Sequence, residues 1–284
     1  MIPAPFTYHQ PTDIPSALKI LSEHGDEARV VAGGHSLIPL MKLRMAAIDH
    51  LVDLKGIEAL RGISISGRDI RIGAMVTQAE VLAHAGLAAA APIMAETAAQ
   101  IADPQVRNLG TIGGNVANGD PVNDMPALMQ CLDATYELQG PDGAREVAAR
   151  DFYESAYVTA RADDEILVAV RFSAPEGGTA YVKQKRKIGD YATAAAAVSL
   201  VKSGGTCSSA SVAMTNLSDV PVYVAAAGAA LEGTDCGPEA VNAAIAAMQE
   251  AIEPVEDNRG PVDFKRHVAG RILAEAIATA WSRA

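Results

Sequence analysis

Two glycine pairs constrain this chain more than any other feature of its sequence. The first lies in Ala32-Gly33-Gly34-His35-Ser36, which follows a short β-branched run and precedes an apolar stretch suited to a helix. Paired glycines allow positive φ angles and let a ligand approach the backbone closely. The amide groups of such a turn, together with the first turn of the following helix, form a binding site for an anion. A plain turn between a strand and a helix is the alternative.

The second pair lies in Thr111-Ile112-Gly113-Gly114-Asn115, which adds a hydroxyl and an amide to two glycines. Neither segment is a G-x-G-x-x-G fingerprint, and neither contains the lysine of a P-loop. A dinucleotide pyrophosphate has two phosphates, and two such loops converging on it would supply backbone donors without a basic side chain. Together the two loops therefore predict a dinucleotide site more specifically than either loop does alone.

A third polar segment runs from Asn118 to Pro126. A carboxylate repels a phosphate because both are negatively charged. Asp120 or Asp124 could instead accept hydrogen bonds from ribose hydroxyls, as acidic residues do in other dinucleotide folds. The alternative is an Asx turn followed by a helix N-cap, for which Asp124 is well placed. The residues alone leave both interpretations open.

A basic run extends from Lys183 to Tyr191. On a strand, Lys183, Lys185 and Lys187 would share one face. A cation on that face could stabilise an anionic ring such as a reduced flavin, and Tyr191 could cover the face of such a ring. A charged strand that faces solvent or a neighbouring subunit is the alternative.

The order of elements predicts an α+β protein with a domain boundary near residue 177, inside the linker-like segment Ser173–Gly178. Before this segment, short strands and helices surround a stretch, residues 102–126, that is predicted to be loop-rich because it contains many Gly, Asn, Asp and Pro residues. After it, three strands and then three helices form a self-contained unit. The predicted strands there are Tyr181–Ile188, Ala194–Val201 and Cys207–Thr215.

Composition excludes several classes of function. The 284 residues carry a net charge of −11, which disfavours binding to nucleic acid. The three cysteines are far apart, so they predict neither an iron–sulfur cluster nor a zinc site. The histidines other than His35 are scattered without metal-ligand spacing, so no metal site is predicted. No membrane span or signal peptide is visible, so a cytoplasmic location is expected, with association at the inner face of the membrane left open.

Five stretches resemble the flavoprotein (medium) subunits of molybdenum hydroxylases. They are the two glycine loops and the segments Ile101–Gly110, Asn118–Leu132 and Lys183–Ala197. The resemblance covers essentially the whole chain. It implies an FAD-binding domain of the vanillyl-alcohol-oxidase (PCMH) type over residues 1–177, made of two α/β subdomains at about 1–55 and 56–177. A C-terminal α+β domain with a three-stranded antiparallel sheet and helices is expected over residues 178–284.

In that family both glycine loops hold the FAD pyrophosphate. Asp124 matches a ribose-contacting acid, Leu167 matches an adenine-side contact made through the backbone, and Lys185 and Tyr191 fall where family members approach the isoalloxazine ring. No His or Cys is placed for a covalent link, so the FAD is expected to be non-covalent. The implied cofactor-binding residues are Ala32, Gly33, Gly34, His35, Ser36, Ile101, Thr111, Ile112, Gly113, Gly114, Asn115, Asp124, Leu167, Lys185 and Tyr191.

The resemblance also implies partner subunits. Family members work as heterotrimers, usually doubled, in which a large subunit carries the molybdenum cofactor and a small subunit carries iron–sulfur clusters of the 2Fe–2S type. Electrons pass from molybdenum through the clusters to FAD, and then to a quinone, a cytochrome or another acceptor. The alternatives are a self-sufficient flavin oxidoreductase and a nucleotide-binding scaffold without a redox role. The sequence identifies neither the substrate of the complex nor its electron acceptor.

Overall fold

The first subdomain is built on a short parallel sheet; the structure, a computed structural model, describes residues 1–284. Its elements are β1 (Thr7–His9), α1 (Ile14–His24), β2 (Ala28–Val31), α2 (Leu37–Lys42) and β3 (His50–Asp53). The strand order is β1-β3-β2, and both outer strands run parallel to β3. Asp13 caps α1 by accepting a hydrogen bond from the amide of Ser16 at 2.8 Å, as its place before the helix predicts.

The second subdomain contains a five-stranded antiparallel sheet. Its strands are β4 (Ile63–Ser66), β5 (Asp69–Gly73), β6 (Thr135–Gly140), β7 (Gly143–Ala148) and β10 (Ile166–Ser173), with a small hairpin of β8 (Tyr153–Ser155) and β9 (Val158–Thr159). The order is β4-β5-β10-β6-β7, so the late strand β10 lies in the centre and joins the hairpin of β4 and β5 to the hairpin of β6 and β7. This central position explains why the first five residues of β10 are all buried.

Six helices accompany this sheet. They are α3 (Gln78–Ala83), α4 (Ala85–Ala90), α5 (Pro92–Gln100), α6 (Pro104–Arg107), α7 (Ile112–Ala117) and α8 (Asp124–Cys131), and single 3-10 turns lie at Gly25–Glu27, Leu54–Gly56, Glu58–Leu60 and Ala149–Asp151. The segment predicted to be loop-rich, residues 102–126, contains α6, α7 and the start of α8, with turns and loops between them. Asp103 and Thr111 cap α6 and α7, which have four and six residues and are too short to show a helical period.

The C-terminal domain is an antiparallel sheet covered by helices. Its elements are β11 (Gly178–Gln184), β12 (Ala194–Ser203), β13 (Thr206–Thr215), β14 (Val222–Tyr223), α9 (Ala225–Leu231), α10 (Pro238–Ala251) and α11 (Val262–Arg283). The sheet has four strands rather than the predicted three, because the two-residue strand β14 pairs with β13. A strand this short leaves no alternating pattern in the sequence. No helix in the structure is both long and apolar enough to span a membrane.

The basic run is not one strand. The predicted strand Tyr181–Ile188 ends at Gln184, and the chain then turns at Gly189, whose φ is +83°. The side chain of Lys183 lies buried on β11, whereas Lys187 is exposed in the following loop. The prediction that the three lysines share one face is therefore wrong, because strand alternation stops before the second of them.

Strand β12 joins the apolar cores of the two predicted domains. Ala195 and Ala197 pack into the same core as the helices beside the second subdomain's sheet, whereas Ala194, Ala196 and Val198 pack into the core under the C-terminal helices. All five are completely buried. A strand that is apolar on both faces forms the centre of a layered structure. The domains are thus packed against each other through small side chains, and the boundary near residue 177 stays a prediction.

Candidate functional site

The two glycine loops lie side by side in the structure. A Cβ atom added to Gly33 would collide with the carbonyl oxygen of Leu109 and would lie 2.8 Å from the Cα of Gly110, so only glycine fits there. A Cβ atom on Gly114 would lie 3.5 Å from the Cβ of Ala32. The two loops therefore approach each other closely, and their convergence on a pyrophosphate stays a prediction.

The first loop presents unpaired hydrogen-bond donors. Gly34 has a φ of +76°, a conformation that favours glycine. The backbone amides of Gly33, Gly34, His35 and Ser36 donate to no carbonyl of the chain. Ser36 is the N-cap residue of α2, yet its hydroxyl makes no capping bond. Backbone amides aligned in this way before a helix suit an anion, as the sequence predicts.

In the second loop, some residues pack into the protein core and others line the site. Ile112 is completely buried, and a Cβ atom on Gly113 would lie 2.5 Å from the Cβ of Ala74. Thr111 caps α7, because its Oγ1 accepts a hydrogen bond from the amide of Gly114 at 3.0 Å. This bond leaves the hydroxyl proton of Thr111 free to be donated. Asn115 Oδ1 accepts from the amide of Met125 at 3.2 Å and so ties the loop to α8.

A cavity of about 900 Å³ opens between the two loops. Its volume lies near the upper end of the range for small-molecule sites. Eleven of the fifteen predicted residues line it: Ala32, Gly33, Gly34, His35, Ser36, Ile101, Thr111, Gly113, Gly114, Asn115 and Leu167. Ile112, Asp124, Lys185 and Tyr191 do not line it. The structure thus brings together both glycine loops and the predicted adenine-side residue in one space.

Asp124 takes part in a buried ion pair between the two predicted domains. Its carboxylate accepts a hydrogen bond from the hydroxyl of Tyr181 at 2.5 Å and lies 2.8 Å from Nζ of Lys183. The side chains of Asp124 and Lys183 are 4% and 1% exposed. Burial raises the pKa of Asp124, while the charge of Lys183 opposes this change. Asp124 is also the first residue of α8 rather than its cap, which is Asn123.

Lys185 and Tyr191 lie in the loop between β11 and β12. Burial, and then the charge of Lys183, lower the pKa of Lys185. Tyr191 is 45% exposed, and the guanidinium of Arg259 lies 5.5 Å from the centre of its ring. Arg186, between them, donates to the carbonyl of Asn258 at 2.9 Å. The loop is therefore held by the segment before α11, and the predicted contacts with the flavin ring stay predictions.

Residues 157–165 form a wall of the cavity that no sequence motif indicates. Tyr157 has a φ of +64°, which is unusual for a residue with a side chain. Arg161 donates to the carbonyl of Glu165 at 2.8 Å, and Arg29 pairs with Asp163 at 2.7 Å. Both guanidinium groups are thus engaged by the protein itself. No local sequence pattern distinguishes this wall from a solvated loop. Its position depends on contacts with the first subdomain, such as the pair of Arg29 and Asp163, whose residues are far apart in the sequence.

Three histidines that the sequence analysis set aside come together. His9, His24 and His50 place their candidate ligand nitrogens within 4.8 Å of one another. The sequence prediction of no metal site rested on spacing along the chain. Spacing along the chain could not indicate this grouping, because the three residues lie on two strands and a helix that meet only in the folded subdomain.

We expect Ser36→Ala and Thr111→Ala to differ in what they destabilise. Each removes a hydroxyl from the cavity wall, so each should weaken FAD binding by about tenfold, since a hydrogen bond to a charged group is worth at least roughly 1.5 kcal/mol. Only Thr111 caps a helix, so only Thr111→Ala should also lower the stability of the flavin-free protein, by about 1 kcal/mol. Flavin titration and thermal melts check both effects. Unchanged FAD affinity in both variants would show that neither hydroxyl contacts the cofactor.

Family models match both halves of the chain. The model described as FAD binding domain in molybdopterin dehydrogenase matches residues 4–175, and that described as CO dehydrogenase flavoprotein C-terminal domain matches residues 179–280. The expected fold, a PCMH-type FAD domain followed by an α+β domain, is confirmed by these matches and by a solved relative.

Individual relatives match over the whole length. The chain is 52% identical to the carbon monoxide dehydrogenase medium chain of Afipia carboxidovorans and 43% identical to that of Hydrogenophaga pseudoflava, covering 100% of this chain and 99% of each relative. The structure of reconstituted CO dehydrogenase from Oligotropha carboxidovorans matches with a TM-score of 0.99 at 52% identity, with full coverage of both chains. The resemblance carried by the two glycine loops thus extends to every element, and the chain belongs to the family of FAD-binding medium subunits of molybdopterin-dependent dehydrogenases.

Proposed function

We propose that this chain is the FAD-carrying electron-transfer subunit of a carbon monoxide dehydrogenase complex. The observation that carries the proposal is the convergence of two glycine loops on one large cavity. The substrate is inferred from the two relatives above, both of which are carbon monoxide dehydrogenase medium chains. The runs Asn118–Leu132 and Lys185–Ala194 also resemble that branch of the family.

The residues present fit FAD. The unpaired amides from Gly33 to Ser36 suit a pyrophosphate, and the absence of a Cβ atom at Gly33 and Gly114 keeps the loops close together. We assign the pyrophosphate to Ala32–Ser36 and Thr111–Asn115 and the adenine side to Leu167, and Ile101 contributes to the wall of the same cavity. When bound, FAD supplies reversible redox chemistry between a one-electron donor and the final acceptor. The chain itself binds and orients the cofactor.

The proposed complex contains two further kinds of subunit. Oxidation of CO with water to CO₂ releases two protons and two electrons, and we place this step on a large molybdenum subunit. A small subunit with 2Fe–2S clusters would deliver the electrons. Such a cluster is usually held by four cysteines, and this chain has three, all of them free. A dimer of heterotrimers and a quinone or cytochrome acceptor complete the proposal.

Lys185→Met is expected to lower the reduction potential of the bound flavin. A positive charge near the ring favours the anionic reduced state over the neutral oxidised state, so its loss favours oxidation. The expected decrease is on the order of 30 mV, the two-electron equivalent of about 1.4 kcal/mol. A redox titration of the FAD-saturated protein measures it, with the exposed Lys187→Met as the matched control. Equal potentials in wild type and both variants would place Lys185 away from the ring.

The functional proposal is tested by anaerobic addition of CO to the purified complex. Bleaching of the flavin absorbance by CO, in the complex but not in the isolated chain, is the expected result. Bleaching by xanthine, an N-heterocycle or an aldehyde but not by CO would assign the chain to another molybdenum hydroxylase. Bleaching of the isolated chain by a substrate would make it a self-sufficient flavin oxidoreductase. Denaturation should release the flavin from the polypeptide, since the linkage is expected to be non-covalent.

A further inference from the structure

Three imidazoles form a cluster on the first subdomain. His9 ends β1, His24 is the last residue of α1, and His50 begins β3. Nε2 of His9 lies 2.9 Å from Nδ1 of His50. The rings of His24 and His50 are stacked with their centres 3.5 Å apart, and the ring of His9 lies 5.2 Å from that of His50. None of the three lines the cavity between the glycine loops.

The architecture of the subdomain explains this grouping. Thr7 is paired with His50 across the parallel strands β1 and β3, so His9, two residues further along, projects from the same face of the sheet as His50. Helix α1 packs against that sheet through Ala17, Leu18 and Leu21, and its last turn brings His24 over His50. The three residues are therefore positioned by regular elements rather than by a loop.

The cluster has the composition of a transition-metal site. Apart from the contact between His9 and His50, the ring nitrogens have no hydrogen-bond partner, and no carboxylate forms an ion pair with any of the three. In a tetrahedral site with metal–nitrogen bonds of about 2.0–2.1 Å, ligand nitrogens lie roughly 3.4 Å apart. The observed separations, from 2.9 Å to at most 4.8 Å, bracket this value. The rings of His24 and His50 are stacked and nearly parallel, so one of them must turn about its side-chain torsions before both nitrogens point at one ion.

We propose that His9, His24 and His50 bind one transition-metal dication of the zinc, nickel or copper class. Three neutral imidazoles suit these borderline ions and do not suit magnesium or calcium, which require oxygen ligands. All three residues are partly exposed, so an ion enters from solvent, and water fills a fourth position. The site is distinct from the flavin cavity and does not depend on the identity of the complex.

The test is equilibrium dialysis of the full FAD-containing chain against zinc or nickel. One ion per chain is expected. His9→Asn, His24→Asn and His50→Asn should each weaken binding by at least about 100-fold, since even outer-shell changes cost 10–100-fold. His267→Asn, which removes an exposed histidine outside the cluster, should bind as wild type does. No binding, or binding that His24→Asn leaves unchanged, would overturn the three-histidine site. Flavin content reports whether each variant is folded.

A second measurement needs no variant. X-ray absorption at the zinc edge of the zinc-loaded wild-type chain should show three imidazole ligands at about 2.0–2.1 Å. This edge is separate from those of molybdenum and iron, so the experiment also works on the whole complex. A spectrum with one imidazole or none would overturn the proposal even if zinc binds.

Discussion

Gly114→Asp is expected to abolish FAD binding while leaving the chain folded. The new carboxylate would lie between the two glycine loops, where the amides of the first loop are unpaired and the pyrophosphate is proposed to bind. Placing like charges against each other costs several kcal/mol, which corresponds to a loss of affinity of about 100-fold or more. Flavin content of the purified variant and titration with added FAD measure this loss.

Two further substitutions at this position separate charge from bulk. Gly114→Ala places a Cβ atom 3.0 Å from Oγ1 of Thr111 and 3.5 Å from Cβ of Ala32, a tight fit that a small shift relieves. It should retain most of the FAD. Gly114→Asn has the shape of aspartate without its charge and should lie between the other two variants. Full flavin occupancy in Gly114→Asp would exclude the second loop as a phosphate site.

Asp124→Asn is expected to destabilise the protein by about 3–5 kcal/mol, because it leaves the ammonium of Lys183 buried without a counter-charge. At roughly 2–4 °C per kcal/mol, the melting temperature should fall by about 6–20 °C. The melt is measured on the flavin-free chain, so that ligand affinity does not contribute. The double variant Asp124→Asn, Lys183→Met removes both charges and should recover more than half of the lost stability.

The matched control for this prediction is the pair of Asp69 and Arg171, which join adjacent strands at 2.9 Å while each remains 47% exposed. Asp69→Asn should cost less than about 1 kcal/mol, because water already solvates that pair. If Asp124→Asn instead lowers FAD affinity and leaves the flavin-free melt unchanged, the carboxylate acts on the ribose, as the family resemblance implies, and not on the domain contact.

Local sequence determined the parts of this protein whose conformation depends on neighbouring residues. The cap at Asp13 and the hairpin turn at Gly67 each depend on a few consecutive residues, so they could be predicted. The glycine loops belong to the same class, because a close approach of backbones or a positive φ requires the absence of a Cβ atom wherever the loop lies. Short elements such as α6, α7 and β14 escaped prediction, because a period cannot be recognised in so few residues.

Tertiary structure alone decided which side chains meet. Asp124 could cap a helix or contact a ribose, and it became the counter-charge of Lys183 because the side chains of Tyr181 and Lys183 on β11 reach the start of α8 across the predicted domain boundary. His9, His24 and His50 have no recognisable spacing, yet the pairing of β1 with β3 and the packing of α1 place them together. The physical reason is the same in both cases. Burial and proximity change the energy of a charge or a ligand nitrogen, and both depend on residues that are distant in the chain and adjacent only after folding.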